Sequence, residues 1–326
     1  MQELFLGEAM KQRRLELGLT QNQLCEGICE PITISRLENG KQMPSRRNLS
    51  ALLGRLSMPT NRYYALLSSR EVEIEKLWQQ ITDCNAHFEH CVEEKRSEYR
   101  EEGLRLHQKI KEAADPDDRL IQQHIICSQV ILGKENGPYT SEEKKEMLIQ
   151  AMQLTSPAFD ISDIGKGLYT TDEIKIINQI AAVGIESQNH ADAIEILDQL
   201  YRYIKNHFSN PATGHIGLII YNYAVELYTV GQYRKAMELI QEGRSIAVKH
   251  AYYEYLPELI GLAAGCEHAL GNNQKSFNLF LQAYYVMQAF GKENSRQYLV
   301  EEAKTLLNVD LSTITEDVAG FAALNL

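Results

Sequence analysis

No stretch of this 326-residue chain approaches the roughly 20 consecutive apolar residues that span a bilayer, so no membrane-embedded segment is expected. The opening MQELFLGEAMKQRR contains acids and lacks the apolar core of a secretory signal, which points to a cytoplasmic protein. Cysteine is sparse at six residues, and in a reducing compartment such thiols stay free. Catalytic signatures are missing too: there is no P-loop, no GxSxG and no HExxH. Accordingly no catalytic residue, cofactor or enzyme activity is expected. CNAHFEHC places Cys84, His87 and Cys91 on one helical face, a spacing that zinc can use. However, the two cysteines also continue an apolar seam and no second ligand pair accompanies them, so no metal is expected.

What is present is a charge asymmetry. Residues 1–66 hold nine Lys/Arg against six Asp/Glu, whereas the other 260 hold 24 against 38, within a total of −11. A mildly basic head on an acidic body is the distribution expected when only the head meets nucleic acid. Hydrophobic residues make up 44% of the chain, enough for a substantial core.

The head reads as a series of short helices. Leu4, Met10 and Leu15 give an apolar set that stops at Gly18. Thr20 with Gln23 forms a capping box for a helix from about Gln21 to Glu26, closed by Gly27. Pro31 followed by Ile32, Thr33 and Ile34 looks hostile to helix. Yet proline is well suited to a first turn, where its missing N–H has no partner to lose. Glu30 before it can serve as cap. A third helix is therefore expected from Pro31 to about Asn39, ended by Gly40. Pro44-Ser45 then opens a fourth with Leu49, Leu52, Leu53 and Leu56. Two short helices joined tightly in such a bundle make a helix-turn-helix. The candidate DNA contacts are Gln21 to phosphate, Ile32 and Thr33 to thymine methyls, and Arg36 to guanine or phosphate. Ser35 joins them on the same helix, and Lys41, Arg46 and Arg47 suit the backbone. Leu24, Ile28, Ile34 and Leu37 are assigned to packing.

From Glu71, Ile74, Leu77, Ile81, Cys84, Phe88 and Cys91 recur at three- and four-residue steps, predicting a linker helix that packs on the body or on a second subunit. Beyond it, Ile220–Gly243, Ala264–Ala283 and Ile180–Leu200 align. Ala193, Ala236 and Ser276 coincide, and Gly231 and Gly271 correspond to Gln188. Arg119–Leu132 and Ser141–Met152 read as an earlier helix pair, and Tyr298–Leu307 with a final apolar segment as the end of the array. The fold class is all-α: a helix-turn-helix bundle (1–66), a linker helix region (67–113) and a helical-hairpin superhelix (114–326). First helices line the concave side of such an array. Asn178, Tyr221, Asn222, Tyr228 and His268 lie on them and are the candidate peptide contacts. An asparagine amide both donates and accepts, which suits a peptide backbone.

The run Gly18-Leu19-Thr20-Gln21, Leu24, Ile28, Ile34 to Gly40 and Pro44-Ser45 resembles the repressor-type (Xre/Cro) DNA-binding domain, with Cys25 where that family usually has alanine. The repeat resembles the tetratricopeptide pattern, with spacings of 43 and 40 residues between the small positions. Together they resemble the PlcR/PrgX/Rgg/NprR (RRNPP) family of quorum-sensing regulators. Leu24 to Ser45 has the character of the PlcR branch. The resemblance implies a cytoplasmic homodimer, a short signalling peptide on the concave face and a palindromic operator in double-stranded DNA. Two alternatives remain open: a body that binds or dephosphorylates a response regulator, and a peptide-independent repressor. For the first, no residue stands out to orient a water; Gln79 and Gln80 are too generic.

Overall fold

The computed structural model describes residues 6–58, 69–90, 93–133, 137–208 and 215–313. Leu4, Cys91 and the final apolar segment fall outside them. Among the described residues there are helices and no strands, and no helix is long and apolar enough to cross a membrane. Met1–Asn189 with Asn206–Ser209 forms one compact unit; His190–Lys205 with Asn210–Leu326 forms a second.

The first unit opens with four helices: α1 (Leu6–Glu16), α2 (Gln21–Cys25), α3 (Pro31–Glu38) and α4 (Arg46–Arg55). Local chemistry sets their ends. The Thr20 hydroxyl accepts from the Gln23 N–H while the Gln23 side chain accepts from the Thr20 N–H. Pro31 occupies the first turn of α3, but Glu30 makes no side-chain cap bond, so the proline and not the acid defines that start. Ser45 caps α4 through the Asn48 N–H. Met10, Leu24, Cys25, Ile34, Leu37, Leu49, Leu52, Leu53 and Leu56 close into one core, with Ile28 packed at its margin. Leu15, read from sequence as part of this apolar set, is instead 59% exposed, because α1 turns that face to solvent.

The linker region is two helices, α5 (Ser69–His90) and α6 (Glu93–Ala113), packed on each other. The seam Ile74, Leu77, Ile81 and Cys84 buries against Leu106 and Ile110 of α6. It also meets Ile121 and Ile125 of α7 (Arg119–Leu132). It packs on the body of its own chain, one of the two expected outcomes. Cys84 donates to the Tyr99 carbonyl and His87 lies exposed against the Tyr99 ring. Among the described residues no three His, Cys, Asp or Glu side chains are placed to hold a metal. Helices α8 (Ser141–Thr155) and α9 (Thr171–Glu186) complete the unit, each started by a capping box, Thr140/Glu143 and Thr170/Glu173.

A buried polar knot fastens the head to this body. Arg55, at the end of α4, donates to the carbonyls of Leu24 (3.0 Å), Glu26 (2.6 Å) and Thr155 (2.8 Å), and lies 3.8 Å from the Glu173 carboxylate. Both charged side chains are almost completely enclosed, at 2% and 0% exposure. Glu173 also accepts from the Thr155 hydroxyl and the Thr170 N–H, and Gln123 donates to Thr155 and to the Ala151 carbonyl. These bonds, made by the two terminal nitrogens while Nε is buried without a partner among the described residues, offset part of the cost of burying the guanidinium. Gly27 is needed at the same joint. Its φ is +74°, and a Cβ would stand 1.8 Å from the Thr155 carbonyl oxygen.

The second unit contains α10 (His190–His207) as far as Lys205, then α11 (Ile216–Thr229), α12 (Tyr233–His250), α13 (Leu256–Ala269), α14 (Asn273–Ala289) and α15 (Glu293–Leu307). The small residues aligned in the sequence, Ala193 on α10, Ala236 on α12 and Ser276 on α14, are all fully buried. Gly231 and Gly271 hold left-handed backbone at the corresponding turns, φ +78° and +84°. Gln188, aligned with them, adopts φ +60° without glycine's freedom. First helices touch directly, α11 on α13 and α13 on α15, and form one layer of this unit.

Candidate functional site

On the head, burial sorts α3 into two faces. Ile34, Leu37 and Glu38 point inward, whereas Ile32 is 56% exposed, Arg36 is exposed, and Thr33 and Ser35 are half-buried. The exposed face thus offers methyl groups from Ile32 and Thr33 and a guanidinium one turn on. Arg36 donates to the Gln42 side chain at 3.0 Å, which steadies it. Lys41 is exposed in the following loop, and beside it Met43 is 56% exposed, an apolar side chain that the sequence did not single out. Nothing in the motif distinguishes Met43; only its exposure does.

Beneath α3 lies the second polar fixture of the head. Arg14 grips Glu38 through two bonds of 2.6 and 2.9 Å, and the hydrogen bond to Glu38 raises the arginine's pKa further. Gln21 donates its side-chain amide to the same carboxylate at 2.8 Å. Gln21 is therefore tied to the base of α3, which locks the register between the two helices of the motif. Cys25 is buried in the core, and burial pushes the half-buried Cys29 up to about 11, so neither thiol is activated.

Arg46 and Arg47 behave differently from the remaining predicted contacts. Arg46 faces Glu75 of α5 at 3.7 Å, and Arg47 pairs with Asp118, the N-cap of α7, at 3.0 Å. Their charge is shared with acids of the body. Pairing across 71 residues leaves no local signature, so sequence reasoning had no means of seeing it.

The candidate ligand residues lie on first helices. Asn178 belongs to α9 in the first unit and is 7% exposed. The other four belong to the second unit. Tyr221, Asn222 and Tyr228 are half-buried on α11. Tyr221 stacks on Tyr255 with centroids 6.1 Å apart, and Tyr228 meets Tyr233 edge-on at 5.4 Å. Burial raises the pKa of both Tyr221 and Tyr228, so each keeps its phenolic proton as a donor. His268 is anchored elsewhere: its Nδ1 contacts the Asn273 side chain at 3.0 Å, at the turn between α13 and α14.

Residues 10–60 match a family model described as helix-turn-helix. No curated protein matches the chain. Among solved structures, Bacillus thuringiensis PlcR in complex with the peptide PapR7 and DNA is 18% identical with a TM-score of 0.55, covering 91% of this chain and 99% of that one. PlcR in its apo form gives 17% and 0.51, covering 90% and 98%. The Streptococcus dysgalactiae SHP pheromone receptor Rgg2(C45S) gives 14% and 0.50, covering 92% and 99%. At such identities the likeness is one of fold. This chain has a helix-turn-helix head on a helical-repeat body, similar in fold over about nine-tenths of its length to PlcR and Rgg2.

Proposed function

We propose that this chain is a cytoplasmic, DNA-binding transcription regulator of the PlcR/PrgX/Rgg/NprR family, controlled by a short signalling peptide held by its repeat body. In this reading residues 1–66 bind DNA, 67–113 link, and 114–326 bind peptide and form a homodimer. The observation that carries it is the pairing of two features in one chain. One is a recognition helix with its apolar face sealed and Ile32, Thr33 and Arg36 turned outward. The other is a repeat layer that leaves Tyr221, Asn222 and Tyr228 only half-buried. Support comes from the fold shared with PlcR, whose solved complex contains both a peptide and DNA, and with Rgg2, a pheromone receptor.

A dimer with two-fold symmetry reads a palindrome whose half-sites lie about one helical turn or more apart. Footprinting on the DNA upstream of the chain's own gene tests this. Two symmetric protected half-sites are expected, weakened together by Arg36→Ala. A single unsymmetric footprint would remove the homodimer from the reading. No protection even at low salt would remove DNA binding altogether.

A further inference from the structure

Among the described residues the three acids of α11 and α13 each have a side-chain partner. Glu226 of α11 contacts His190 at 2.8 Å. Glu258 of α13 pairs with Lys292 at 2.7 Å. Glu267 accepts from the Asn272 amide at 2.7 Å, with Lys275 at 3.9 Å. Glu302 of α15 has no hydrogen-bond or ion-pair partner among the described residues, yet it is only partly exposed. Burial alone, opposed by no cation, raises its pKa. Neither α11 nor α13 contains a lysine or arginine. Residues 209–214 and 314–326 contain no basic side chain either.

The surroundings are shaped as well as charged. Gly265 lies mid-way along α13, where glycine costs about 1 kcal/mol relative to alanine. A Cβ there would sit 3.2 Å from Glu302 Oε1, 3.2 Å from the Tyr228 hydroxyl and 3.3 Å from the Tyr228 ring. The glycine thus lets a carboxylate from α15 and an aromatic ring from α11 converge over α13. Burial raises the pKa values of Tyr221, Tyr228 and Cys266, and nearby carboxylates, Glu302 among them in each case, raise them further. A desolvated carboxylate close to a tyrosine ring and its hydroxyl is an arrangement that attracts a cation through both charge and ring quadrupole.

We propose that the surface over Gly265, between Tyr228 and Glu302, receives a cationic group of the bound peptide, a lysine or arginine side chain or the free N-terminal amine. This rests on the peptide-receptor reading and names what that receptor selects. The three sources share one chemistry, and the test separates them.

The full-length protein is titrated with position-scanning heptapeptide pools in which one position is fixed as lysine, arginine, norleucine or glutamate. Each pool is made with free and with acetylated N-termini, and binding is read by thermal shift and calorimetry. The expected result is a position at which a basic pool binds roughly tenfold tighter than its norleucine counterpart. Alternatively, a comparable loss on acetylation would assign the amine. Either preference should vanish in Glu302→Gln, which keeps size and fold, and should reverse toward the glutamate pools in Glu302→Lys. Pools that bind equally well whatever their charge, or a basic preference unchanged in Glu302→Gln, would overturn the cation site and leave peptide binding standing. Binding by no pool of any composition would overturn the peptide-receptor reading, and this site with it.

Discussion

The two compact units are held together by different physics. The first is fastened by buried charge: Arg14 on Glu38 inside the head, and Arg55 on Glu173 and three carbonyls where the head meets α8 and α9. It also buries His107, which contacts the Ser128 hydroxyl at 2.8 Å while that hydroxyl donates to Asn85 at 2.7 Å. The second unit relies on small, fully buried residues, Ala193, Ala236 and Ser276, and on an apolar core around Phe280, Tyr284 and Met287. Directional bonds fix one orientation of a domain; repeated small-residue contacts build a surface by stacking. The first suits a head that must be aimed, the second a face that must accommodate something.

The strongest way to break this contrast is at Arg55. Arg55→Met strips the compensation from buried Glu173 and leaves the Leu24, Glu26 and Thr155 carbonyls short of a donor. A loss of about 3–5 kcal/mol is expected for the first unit, read by urea unfolding. A loss under about 1 kcal/mol would mean that the knot is not what holds the head. Gly27→Ala attacks the same joint sterically, through φ +74° and the Thr155 contact, with an expected loss of about 2 kcal/mol or more. In the second unit the matching change is Ala236→Leu, which overfills a fully buried position and should cost about 1–3 kcal/mol, without any dependence on salt or pH.

Acid should separate the units as well. Burial lowers His107 to about 4, and lowers His124, whose ring stacks on Trp78 at 3.9 Å. A base held below its unfolded pKa binds fewer protons when folded, so stability falls as pH drops from about 6.5 toward 4. Trp78 is the only tryptophan in the chain and reports this locally. Its emission should hold steady above pH 7 and report unfolding of the first unit at lower urea as pH falls. An equal urea midpoint at pH 7 and pH 5 would contradict the burial of these rings. The smallest effect on stability is expected at Ile32→Ala, within about 0.5 kcal/mol for an exposed side chain, with its consequence confined to DNA affinity.

The head was legible in sequence because its signals are local. Thr20 with Gln23, Pro31, Gly40 and Ser45 each mark a helix end through a bond or a backbone angle made within a few residues. The same holds for Arg119–Leu132, whose ends agree with the sequence reading. The division of the linker into α5 and α6 was not legible, since no glycine or proline marks the segment between His90 and Glu93. Nor were the partners of Arg46 and Arg47, because Glu75 and Asp118 come from other helices. Glu302 was missed for a related reason. On a helix rich in charge it reads as one more solvated acid, and only the packing of α11 and α13 beside it reveals that it lacks a cation.

The most direct test of the account is the affinity of the full-length protein for a labelled duplex from upstream of its own gene, measured by anisotropy with and without short peptides encoded nearby. The account predicts that one such peptide changes the affinity, and that Asn222→Ala and Tyr228→Ala, both folded, lose that change while keeping the peptide-free affinity. Tight DNA binding indifferent to every peptide would contradict it and leave a repressor whose body serves another purpose.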